Sequence, residues 1–102
     1  MYIITLTLTE LKTKAREFME AHNRWITAGL EDGLFLVVGG LKPQGGGVIL
    51  AHKVDRQTIE MRVAEDPFVQ EGIVTPHIQN VSVARSDPRF EFLLDHSGAP
   101  GA

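Results

Sequence analysis

The chemistry open to this chain is narrow. It has four histidines and no cysteine, which removes a thiol nucleophile, a zinc–thiolate centre and a disulfide scaffold together. His22 is the first candidate. It stands in an apolar series, one helical turn after Phe18 and just before Trp25, so its ring faces the core side of a helix or lines a cavity there. A ring so placed can act as a general acid or base; the alternative is a core histidine satisfied by one backbone carbonyl. Asp66 is the second candidate. An Asp before Pro67 opens a short helix as its N-cap and needs no other role. Brought beside His22, the same carboxylate would orient the imidazole, and the two would form a general acid/base dyad. His52 and His77 invite a metal reading alongside them. No pair is two apart on one strand or four apart on one helix, so no metal site is expected. His96 falls in the tail and reads as solvated. No serine sits on a sharp strand-to-helix turn, which leaves no convincing Ser-His-Asp order. Gly39 and Gly40 sit at a strand end, where glycine lets a ligand or a helix approach the backbone. Gly45-Gly46-Gly47 lacks the Lys-Ser/Thr ending of a phosphate loop and reads as a hairpin connection.

The elements that must position these residues follow from hydrophobic periodicity. Tyr2–Leu8 alternates, with Ile4, Leu6 and Leu8 on one side and Ile3, Thr5 and Thr7 on the other, which is a strand with one apolar face. Thr9 is a helix N-cap. From Leu11 the apolar residues step by three and four through Ala15, Phe18, His22, Trp25 and Gly29, with Met19, Ile26 and Leu30 widening the stripe. The helix is expected to stop near Asp32-Gly33. Leu34–Val38 reads as a buried strand, Val48–Val54 as the next strand, and Asp55 caps a second helix to about Ala64 with Ile59 and Val63 inward. Asp66-Pro67 then opens a one-turn helix closed by Gly72. Thr75–Ala84 is a last strand whose Pro76 suits an edge. Phe90–Leu94 is a possible extra strand, and Ser97–Ala102 a frayed tail.

The order β-α-β-β-α-β predicts an α+β, ferredoxin-like domain over residues 1–84 and a C-terminal extension over 85–102. Its four-stranded antiparallel sheet has the order 4-1-3-2, with both helices on one face. The other face keeps an apolar patch, and a patch of that kind on a small protein implies a partner, so a homodimer packed sheet against sheet is expected. The chain of 102 residues has room for one core, and 43% hydrophobic with 23% charged residues is an ordinary globular composition. A net charge of −3 with no basic block argues against nucleic acid. No apolar run approaches the roughly 18 residues of a membrane span, and Met1–Leu8 lacks the basic flank of a signal peptide. A cytoplasmic protein is the default expectation.

The mid-helix Ala21-His22, Gly29 to Gly33, the apolar strand into Gly39-Gly40-Leu41 and the run Ala64-Glu65-Asp66-Pro67-Phe68-Val69-Gln70-Glu71-Gly72 together resemble the YciI-like (YCII-related) family. The likeness spans about Met1 to Val83. It implies a dimeric α+β barrel and an active site built on a His–Asp pair, which falls on His22 and Asp66 here. Activity in the family includes elimination of chloride from a chlorinated hydroxyquinol without a cofactor. Related barrels include cofactor-free monooxygenases and lactone isomerases.

The expectation is thus a small-molecule enzyme of lyase or dehydrochlorinase type, with no cofactor, acting on a small and possibly aromatic substrate. His22 is the general acid or base and Asp66 its partner; Trp25, Gly39, Gly40, Pro67 and Phe68 bind the substrate. The alternative is a non-catalytic dimeric metabolite-binding or structural module. The enzyme reading needs His22 and Asp66 in contact and both touching a solvent-accessible pocket.

Overall fold

Alternation along Tyr2–Leu8 produces β1, and its apolar side places it at the centre of the sheet. The computed structural model describes residues 1–96. β2 is Phe35–Gly40, β3 is Gly47–Ala51 and β4 is Val74–Asn80. The sheet order is β2-β3-β1-β4, the expected 4-1-3-2, and each pairing is antiparallel. Ile4, Leu6, Ile49 and Ala51 point to the helix side and are no more than 3% exposed. Each such large side chain stabilises the fold by about 1.5–3 kcal/mol relative to leaving it in water. The long helix α1, Ala15–Glu31, packs Trp25 and Gly29 onto this face, and α2, Arg56–Ala64, adds Ile59 and Val63. A single turn, α3, Pro67–Gln70, follows. The chain is therefore α+β and ferredoxin-like, as expected. Among the described residues no helix is long and apolar enough to cross a membrane.

Several expectations are corrected. Thr9 caps as predicted, its hydroxyl accepting from Leu11 N–H at 3.1 Å, but the segment it opens, Glu10–Lys14, is a 3₁₀ helix. Three residues per turn rotate Leu11 off the stripe, and Leu11 is exposed. Met19 and Leu30 lie on the flanks of α1 and are also exposed. β2 lies at the sheet edge, as the order 4-1-3-2 requires, but is buried only at its start: Phe35 is 2% exposed, a register shift follows, and Val37 is 52% exposed. β3 ends at Ala51 because Lys53, at φ 64°, turns the chain. β4 stops at Asn80, opposite Tyr2, and not at Ala84; one further hydrogen bond, Val81 N–H to Met1 O at 2.7 Å, follows it. Phe90–Leu94 is not a strand. Asp87 caps a 3₁₀ segment, Pro88–Leu93, accepting from Arg89 N–H at 2.9 Å, and Pro88 favours a first helical position. The expected frayed tail lies outside the described residues.

Candidate active site

The end of α2 and the start of α3 share one residue. Asp66 N–H donates to Val63 O at 3.1 Å, closing α2, and its Oδ1 accepts from Phe68 N–H at 3.0 Å, opening α3. α3 packs on α1. This brings the fully buried Asp66 to the middle of the long helix, where Oδ1 lies 2.7 Å from His22 Nδ1. An oxygen that already accepts from Phe68 N–H is an acceptor, so Nδ1 carries the proton in this contact and donates. His22 is held from its face as well: the Phe68 ring is stacked on it at 3.9 Å between centroids and 3° between planes. The Asp-Pro-Phe run thus supplies a hydrogen bond to the imidazole edge and a plate against its face.

Trp25 supports this arrangement from behind. Its ring lies 6.0 Å from His22 and meets Phe35 edge-on at 5.0 Å. Its indole N–H donates to Arg62 O at 2.9 Å, a carbonyl that also accepts from Glu65 N–H, and this ties α2 to α1. Arg62 also reaches Asp32 Oδ2 at 2.7 Å. That hydrogen bond holds the Asp32 carboxyl below the usual carboxylate range, helped by Leu34 N–H.

A cavity of about 610 Å³ opens between α1 and the sheet, within the range of small-molecule sites. His22 and Ile26 line it from α1, Leu6 from β1, Gly39 and Gly40 from β2, and Phe68 from α3. Nδ1 faces Asp66, and Nε2, which has no hydrogen-bond partner among the described residues, is the ring nitrogen left for a ligand. Of the residues expected at the site, His22, Gly39, Gly40 and Phe68 come together around the cavity. Trp25 and Pro67 are not among its lining residues; the Trp25 indole turns to Arg62 O instead. Asp66 does not line the cavity either, so of the conditions set for an enzyme the contact is met but the cavity is reached through His22 alone. Lys12, Asn23 and Gly46-Gly47 line the cavity and escape a sequence reading. Asn23 adjoins His22, which is a usable signal, but Lys12 belongs to a run that reads as a solvated face.

At Gly40 no packing demands glycine, since an added Cβ would meet only Gly46 O, at 3.8 Å. Gly40 pairs with Gly47, and Leu6 pairs with Gly47 in turn. Residues paired across strands share a face, so a side chain at position 40 would project to the cavity side. His52 Nε2 contacts Gly33 O at 3.0 Å, and His77 lies opposite Thr5 on the face away from the helices. Among the described residues no group of three His, Cys, Asp or Glu side chains could hold a metal ion.

The YCII-related domain matches residues 1–78. The chain belongs to the YCII-related family. Comparison with curated proteins finds no match. Among solved structures, this YCII-related chain is similar to the 5-chloro-2-hydroxyhydroquinone dehydrochlorinase of Burkholderia phenoliruptrix in complex with 2,5-dihydroxybenzoquinone. The TM-score is 0.67 at 13% identity, over 78% of this chain and 91% of the other. At that identity the likeness is one of fold.

Proposed function

We propose that this YCII-related protein is a small-molecule enzyme that performs cofactor-free acid–base chemistry of the elimination type. The observation that carries the reading is the 2.7 Å contact between His22 Nδ1 and Asp66 Oδ1 beside the 610 Å³ cavity. With Nδ1–H held by Asp66, the neutral ring presents Nε2 as a base. In an elimination Nε2 takes the substrate proton while the leaving group departs with the bonding electron pair, chloride in the dehydrochlorinase case. The imidazolium so formed is stabilised by the Asp66 carboxylate, and such a pair contributes about 10²–10⁴-fold. The full burial of Asp66 and its role as a cap fit the other reading, in which the cavity binds a metabolite without turnover.

The test is chloride release from chlorinated hydroxyquinols, followed by halide electrode and absorbance. His22→Ala is expected to lower kcat/KM by about 10²-fold or more, and Asp66→Asn by at least about tenfold. A found activity that survives His22→Ala in full overturns the reading. We also infer a homodimer through the open sheet face. Register places Ile3, Val37 and Leu50 together on that face, with Val48 beside them, and an apolar surface of this kind is suited to a second copy.

A further inference from the structure

The lining of the cavity is uneven in charge. Its walls are mostly apolar or glycine, no carboxylate lines it, and Lys12 is its one side chain with a fixed charge. The chain as a whole carries −3, so this positive point stands against the general field. Lys14, two residues on, is occupied by Glu71 at 3.9 Å. The Lys12 ammonium has neither an ion pair nor a hydrogen bond among the described residues. Lys12 is exposed while lining the cavity, so its attraction for an anion is that of a surface charge, modest and screened by salt. It also penalises a cationic ligand.

We propose that Lys12 is a specificity residue, selecting a small flat molecule with one negative charge at its edge, a carboxylate or a phenolate. The proposal rests on the cavity being the substrate site. The ring would lie between α1 and the glycine strand end, within reach of His22 Nε2, and its anionic group would point to Lys12. Gly40 leaves room for the ring at the cavity side.

The test compares two ligands of one shape, benzoate and benzamide, by NMR titration of the full chain. Benzoate is expected to bind about fivefold more tightly, and the preference to shrink as salt is raised. Lys12→Met should bring the two affinities together without weakening benzamide, and Lys12→Arg should keep the preference. Gly40→Val, whose Cβ meets only Gly46 O at 3.8 Å, should weaken both ligands. Equal binding by the parent, or a preference that survives Lys12→Met, overturns the proposal while leaving the cavity intact. Binding of neither ligand overturns it and removes the cavity from the proposed function as well. A Lys12-dependent preference alongside undiminished turnover in His22→Ala leaves the anion site standing and removes only the acid–base reading.

Discussion

Asp66 Oδ1 accepts two hydrogen bonds, one that starts α3 and one that fixes His22. Oδ2 is buried with no partner among the described residues. Asp66→Ala removes the cap, worth about 1 kcal/mol, and the bond to the imidazole, worth about 1.5–3 kcal/mol. We expect a loss of roughly 2–4 kcal/mol in denaturant unfolding; a loss no larger than a cap's would show that the imidazole contact adds no stability. Asp66→Asn keeps an acceptor at Oδ1 but places an amide N–H₂ where Oδ2 has no partner, and should cost about 1–3 kcal/mol. Each half of the pair is legible in the sequence: His22 by its place in the stripe, Asp66 by its place before proline. Their contact is not, because it spans 44 positions and depends on how α3 packs on α1. The side to which the Trp25 indole turns is illegible for the same reason.

Glycines at the level of whole elements separate two roles that look alike in sequence. Gly29 lies in the last turn of α1, a helical position where alanine normally stabilises, by at most about 1 kcal/mol. Here a Cβ would overlap the Phe35 ring, since α1 meets β2 at this point. Gly29→Ala is therefore expected to lower stability by about 1–3 kcal/mol, read as a fall in Tm. At Gly39 a Cβ meets nothing within 4 Å, so Gly39→Ala should leave Tm unchanged or raise it by removing freedom from the unfolded chain. A matching fall in both variants would contradict the packing. The sequence shows Gly29 in the stripe but cannot show which aromatic faces it. Periodicity is enough to find β1, α1 and α2. It misreads Phe90–Leu94, whose apolar run resembles a strand although Asp87-Pro88 starts a helical turn.

Among the described residues, the carboxyls of Asp32, Asp55 and Asp87 sit below their ordinary value of 3.8, Asp32 through Arg62, Asp55 through Thr58 and Asp87 through Arg89. The folded state therefore favours their charged forms. That stability is fully present above pH 3.8 and is lost as pH falls through the lowered values. Unfolding midpoints should fall as pH drops from about 4 toward 2, and Asp32→Asn should flatten that slope. The inferred dimer should give a solution mass of twice 11.3 kDa by light scattering, and Val37→Lys on the open face should shift it to the single-chain mass. Strand order and the open face are legible because β-α-β-β-α-β admits few sheets; the cavity is not, since it is what packing leaves over. The placement of Asp66 has an evolutionary consequence. One carboxylate closes a helix, opens another and serves the imidazole, so a lineage cannot vary the chemistry there without risking the fold. Gly40, on the cavity side, carries no such double duty, since a Cβ added there meets only Gly46 O at 3.8 Å. Under the proposed function, divergence toward new substrates would therefore fall on that rim of the cavity.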